Sequence, residues 1–445
     1  MATAQESRME KNESFDSYFE MVQSRKKLPP SLQDSLTSSF AKIQVSSFPQ
    51  VPGGKVIEIL ASTPVGDAVR ILSESNILSA PVINPDSKDT LDWRKRYLGI
   101  LDYSAIILWV LQNAEMAAAA LSATSAAAAG VTTGAAGALG ALALGATGPL
   151  AVAGLAAAAV GAAVAGGVVI DRGMGKDAPT AADKLGEDFY KVILHEEPFK
   201  STTVGSIVKS YRWAPFVPVA PDSSMLSVML LLSKYRLRNV PVIETGNPSM
   251  KNFITQSAVI QGLQRCKGRD WFDTISAHPL TDLGLPFMSS DQVVCVQDNE
   301  LILEAFAKMK DKQIGGLPVI DGATRNILGN ISIRDVRFLL LKPELFSNFR
   351  ELTVKDFIAT VSAETNDIWR TVAPITCKQD ATLGSIIDTL ASRSVHRIYV
   401  VSSGENSKAV IGVITLRDVI SCFIHEPPKF FDNYFGFAAQ ELLNQ

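Results

Sequence analysis

Two stretches of this chain place a hydroxyl three residues ahead of a carboxylate, just after a short apolar run: Gly329-Asn-Ile-Ser-Ile-Arg-Asp335 and Gly412-Val-Ile-Thr-Leu-Arg-Asp418. If each run is a strand that turns into a helix, Ser332 with Asp335 and Thr415 with Asp418 stand one helical turn apart. Two kinds of chemistry suit that spacing. The carboxylate can accept both hydroxyl protons of a ribose cis-diol while the free N–H groups of the first helical turn face an anion. Alternatively the pair is a capping-box variant that satisfies only its own helix start. Arg334 and Arg417, each directly before the carboxylate, are phosphate contacts on the first reading and surface charges on the second.

Few other residues offer chemistry. Lys+Arg 42 against Asp+Glu 45 give a formal charge of -3, so there is no broad basic field for nucleic acid and any anion site has to be local. The four cysteines (266, 295, 377, 422) contain no Cys-x-x-Cys pair and read as reduced thiols. No two of the four histidines have metal-ligand spacing, so no metal is expected. Gly175-Lys176 is followed by Asp177, which rules out a phosphate-cradling loop of the Gly-Lys-Ser/Thr type. A His-Arg-Asp loop, an Asp-Phe-Gly motif and a Gly-x-Ser-x-Gly elbow are all missing from the sequence. The chain therefore reads as non-enzymatic. Its polar N-terminus lacks the apolar run of a secretory signal, and a cytoplasmic location is expected, with the nucleus as a further one.

The elements that position these residues emerge from an internal repeat. Four segments share an amphipathic helix, an apolar-Pro-Val-Ile run or its equivalent, a turn, and a second strand opening on Gly or Asn. The runs are Ala80-Pro-Val-Ile, Val240-Pro-Val-Ile, Leu317-Pro-Val-Ile and Ile398-Tyr-Val-Val. Apolar residues recur at helical spacing before each run, as Leu301, Ala305, Phe306 and Met309 do, and the short Val/Ile runs read as strands. Each unit is then α-β-β-α, too small to bury its sheet face alone, which predicts stacking in pairs. With 445 residues there is room for several such units. The expected boundaries are an N-terminal polar segment 1–50, units at 51–112, 195–265, 283–342 and 365–425, and a tail 426–445. Between the first two units, 113–172 is an Ala/Gly-rich insert whose residues 116–170 carry no charge. We read it as a soluble insert, with membrane contact through 116–170 as the alternative. Within 28–52, Leu28, Leu32, Leu36, Phe40 and Ile43 fall at near-helical spacing, suited either to docking on a partner or to capping the first unit.

At these residues the chain resembles the cystathionine-β-synthase (CBS) domain. Four such units resemble the γ regulatory subunits of the AMP-activated and sucrose-non-fermenting-related protein kinases, the plant type in particular. That resemblance rests on the Ala/Gly insertion and on Trp213-Ala-Pro-Phe, Lys234-Tyr-Arg-Leu-Arg-Asn-Val-Pro-Val-Ile, Gly315-Gly-Leu-Pro-Val and Arg393-Ser-Val-His-Arg. It implies an α/β fold of four CBS domains arranged as two tandem pairs in a pseudo-symmetric disc. An adenine nucleotide, AMP, ADP or ATP, is the implied regulatory ligand. His396-Arg397 is the implied phosphate-binding pair, and two in-register Ser/Thr-x-x-Asp copies within such units favour the ribose reading. Arg238 is the one cation surviving at the equivalent place in the second unit; Gly315-Gly316 in the third permits close approach but brings no charge. Ala105 and Ala258 stand where the first two units should carry the acid, so occupancy is expected mainly in the second pair. The implied partners are a Ser/Thr kinase catalytic α subunit and a scaffolding β subunit in a heterotrimer. A nucleotide-insensitive CBS scaffold and a CBS regulator of a membrane transporter are the alternative functions.

Overall fold

The structure, a computed structural model, describes residues 19–87, 90–106, 109, 201–211, 215–244, 246–247, 249–335, 338, 351–364, 374–403 and 408–431. The expected insert 113–172 lies outside them.

Four small sheets carry the architecture. They are β1 (Ile59–Leu60), β2 (Ser79–Ile83) and β3 (Tyr97–Asp102); β4 (Asn239–Ile243) and β5 (Met250–Thr255); β6 (Val296–Gln297), β7 (Gly316–Ile320) and β8 (Ile327–Ser332); and β9 (Thr376–Cys377), β10 (Arg397–Val401) and β11 (Val410–Thr415). The hairpin register repeats in every unit. Val82 faces Gly99, Val242 faces Asn252, Val319 faces Gly329 and Val400 faces Gly412, and each pairing shifts at the following residue. The sequence reading missed the leading two-residue strands, which run parallel to the hairpins. Two residues are too few to show a period of two.

The helices follow the apolar spacing. In α2 (Val65–Glu74) the buried positions are Val65, Ala68, Val69 and Leu72, and Ile302, Ala305, Phe306 and Met309 repeat them in Ile302–Asp311. Met225–Ser233 of the second unit is buried at all nine positions, because neighbours cover it on every side. Two cores tie the units together. One joins the helices of the second unit to those of the fourth, and the other joins the first unit to the third. Sheet faces of the third and fourth units share a smaller cluster around Ile320, Ile327, Tyr399 and Val410. On the other side, Phe216 stacks on Tyr97 at 4.7 Å between ring centroids, and Asn239 donates to Ser79 Oγ at 2.8 Å. The units thus close a ring in the order first, second, fourth, third.

The packing crosses two of the expected boundaries. Residues 201–210, expected in the second unit (195–265), pack on the first. Thr203 bridges Pro64, Val204 N donates to Thr63 O at 2.9 Å, and helix Val204–Ser210 lies on β3. The first helix of the second unit is met in return by Gln44, which bridges Ser224. The second pair repeats this exchange, with Pro279 on Thr382 of the fourth unit and Thr353 on Leu301 of the third. Each unit is therefore completed by an arm that leads into its tandem partner.

The 28–52 segment does form a helix, α1 (Pro30–Lys42), whose apolar face is turned to the second and fourth units and not to the first. It packs on Met225–Ser233, with Leu36 and Phe40 in the core shared by the second and fourth units and Thr37 Oγ1 3.1 Å from His425 Nδ1. Its choice of surface depends on apolar faces that no local pattern encodes.

Candidate functional site

A cavity of about 1220 Å³ opens where the four units meet, and each contributes to its wall. Its lining holds eight Lys or Arg residues against two carboxylates, Asp102 and Asp418, in a chain whose net charge is -3. The local excess of positive charge demanded by the overall composition is here.

The cations come from different units. Arg397 begins β10 with His396 directly before it, Arg334 follows β8, and Arg238 precedes β4. Burial pushes the His396 imidazole down to about 3, and the nearby Arg334, Arg397 and Arg238 guanidinium groups push the same way. All four residues line the same cavity. His396 is accordingly a neutral hydrogen-bonding group at physiological pH.

Arg397 reaches across the ring to the third unit. Its Nη1 donates to Asn330 Oδ1 at 3.3 Å, an oxygen that also accepts the Tyr399 hydroxyl. The guanidinium lies directly over Gly316, where an added Cβ would fall inside it and 2.7 Å from the Ile331 carbonyl oxygen. At Gly315 the same construction comes within 3.2 Å of Arg397 and 3.8 Å of Arg238. The Gly-Gly pair thus lends no charge of its own but seats two charges from neighbouring units. Gly316→Ala is expected to expel Arg397 and strain the β7–β8 pairing. A lower melting temperature together with weakened anion binding checks this, and unchanged binding would contradict the seating role.

Of the sequence-derived candidates, Arg238, Arg334, His396, Arg397, Thr415, Arg417 and Asp418 line the cavity, while Ser332 and Asp335 are not among its lining residues. Both Ser/Thr-x-x-Asp copies form their helix starts. Thr415 N and Oγ1 donate to Asp418 Oδ2 at 2.8 and 2.7 Å, completing a capping box. Ser332 N and Oγ donate to Asp335 Oδ2 at 2.7 and 3.1 Å. Of the two copies, Thr415–Asp418 alone combines capping geometry with a place in the cavity wall.

Arg417 is not the surface charge that one reading of its position suggested. It is 9% exposed, and its Nε donates to Ser233 O at 2.5 Å, with Nη2 3.4 Å from Lys234 O. It clamps helix Leu416–Cys422 to the C-terminal carbonyls of Met225–Ser233, whose orphan acceptors need such a donor. Arg238 is also engaged: its Nη1 lies 2.7 Å from Asp102 Oδ1 and 2.6 Å from Ser104 Oγ. Nothing in the sequence points to this contact, because an ion pair between residues 136 apart leaves no local signal.

This arrangement can take up an anionic, phosphate-bearing ligand, with a carboxylate beside the cations to accept from hydroxyls. The CBS domain family model matches residues 282–342 and 367–425, that is, the third and fourth units. The SNF1-related protein kinase regulatory subunit gamma-1-like of Arabidopsis thaliana is 67% identical over 97% of this chain and 96% of its own length. This chain belongs to the family of γ regulatory subunits of SNF1-related protein kinases. A second Arabidopsis relative, the SNF1-related protein kinase regulatory subunit gamma-1, is 33% identical over 90% of this chain and 86% of its own. The 5'-AMP-activated protein kinase subunit gamma of Dictyostelium discoideum is 22% identical over 48% of this chain and 36% of its own length. In this γ-family chain the four CBS-type units form the ring described above, with the cationic cavity at its centre.

Proposed function

We propose that the chain is a non-catalytic regulatory subunit that binds an adenine nucleotide in the central cavity. The observation that carries this reading is the convergence of His396, Arg397, Arg334 and Arg238 from three units beside the Thr415–Asp418 pair. Arginine supplies fixed charge and a planar fork matched to phosphate oxygens, and neutral His396 adds a hydrogen bond without further charge. Asp418 then takes the ribose hydroxyls. The regulatory names of the two Arabidopsis relatives support a role on a kinase, with a catalytic α and a scaffolding β subunit as partners in a heterotrimer. Cytoplasmic and nuclear sites of action go with that reading.

The test is calorimetry on the full chain with AMP, ADP, ATP and adenosine. Asp418→Ala deletes charge-assisted hydrogen bonds of roughly 1.5–3 kcal/mol each, and AMP affinity should fall about tenfold or more. Asp335→Ala, away from the cavity wall, should change it by less. Equal effects of the two variants would return both acids to capping alone. Absence of binding to every nucleotide would leave the nucleotide-insensitive scaffold. Identifying the chains that co-purify with the protein tests the kinase assignment.

A further inference from the structure

We propose that Asp102 is a tethered counter-anion that limits how many phosphates the cavity accepts, a proposal that rests on the nucleotide reading above. Strand register makes Asp102 the structural equivalent of Thr255, Ser332 and Thr415: these four stand opposite Ser79, Asn239, Gly316 and Arg397. Only the first unit carries a carboxylate where the others carry a hydroxyl.

That carboxylate is 1% exposed, yet it borders the cavity. Its Oδ1 accepts from Arg238 and from Ser104 N, each at 2.7 Å. Its Oδ2 is buried and has no hydrogen-bond partner. A buried carboxylate with one unsatisfied oxygen depends on the cation facing it, and removing that cation leaves an uncompensated charge. Arg238 occupies in the second unit the place that His396 holds in the fourth, and its guanidinium shares the Gly315 seat with Arg397.

Ligand phosphate and Asp102 therefore compete for one guanidinium. A monophosphate can be matched by Arg397 and Arg334 while Arg238 stays on Asp102. A further phosphate at the Gly315 seat, where Arg397 and Arg238 meet, draws Arg238 off a carboxylate that would remain buried. Asp102 thus acts as a specificity-determining residue that disfavours polyphosphates without touching the adenosine.

The experiment compares the full-length wild type, Asp102→Asn, Asp102→Thr and the double variant Asp102→Asn/Arg238→Gln by calorimetry with AMP, ATP and inorganic pyrophosphate. Thermal melting confirms that each is folded, and Asp102→Thr, which installs the residue of the second and fourth units, keeps a cap at that helix start. Either single variant should raise the ratio of ATP to AMP affinity at least tenfold and strengthen pyrophosphate binding, and Arg238→Gln should cancel the gain. AMP binding with an unchanged ratio in a folded single variant overturns this proposal alone. If none of the proteins binds any of the three probes, the nucleotide reading fails and this proposal with it.

Discussion

Arg397→Gln is expected to weaken the binding of AMP, ADP and ATP ten- to a hundredfold while leaving adenosine within about twofold. The guanidinium is the best-positioned cation of the cavity, oriented by Asn330 and seated over Gly316. Glutamine keeps part of the side chain's length and an amide donor, but it loses the fixed charge and the fork. One or two charge-assisted hydrogen bonds at about 1.5–3 kcal/mol each set that range. Adenosine carries no phosphate, so its binding reports only on the shape of the site. Calorimetry with all four ligands separates the two effects, and equal losses for adenosine and AMP would mean that Arg397 supports the fold instead.

Stability in acid should fall steeply, and His396 should be a main cause. Its folded-state value is about 3, against an ordinary value near 6.5 in the unfolded chain. Between those limits the unfolded state binds a proton that the folded state refuses, so unfolding becomes easier as pH drops below about 6.5. At about 1.4 kcal/mol per unit, the loss approaches several kcal/mol near pH 3. His396→Gln removes the titrating group and should flatten that part of the profile, which denaturant midpoints between pH 7 and 4 would reveal. Parallel profiles for the two proteins would contradict the burial of a neutral imidazole. A bound phosphate should oppose the effect by favouring the protonated ring, so nucleotide should protect most strongly in mild acid.

Much of the hairpin architecture was readable because it is local. The Pro-Val-Ile runs, the following Gly or Asn and the Ser/Thr-x-x-Asp spacing all lie within one unit, where strand period and capping chemistry act over a few residues. The contacts that give the cavity its character do not. Arg397 meets Asn330 67 positions away, Arg238 meets Asp102 across 136, and Arg417 reaches Ser233 across 184. Each depends on which units share an interface. The role of Gly315-Gly316 was half legible: the pattern showed that room was provided, but not that a neighbouring unit's arginine fills it. For α1, periodicity indicated the helix, and the apolar faces of the second and fourth units determined where it docks.

The exchanged arms make each tandem pair a clasp, not two beads on a string. Gln44 lies before the first unit yet completes the second, while Val204–Ser210 lies after the insert yet completes the first. A single cut anywhere between residues 113 and 200 should therefore leave two polypeptides that remain interlocked, each holding a piece the other lacks. The same two polypeptides, produced separately, should reassemble when mixed. Conversely, a product ending at residue 112 has no route to a finished first unit by itself. In such a chain the length and composition of the insert should matter little to the pair, because β3 before it and Val204–Ser210 after it already pack on each other.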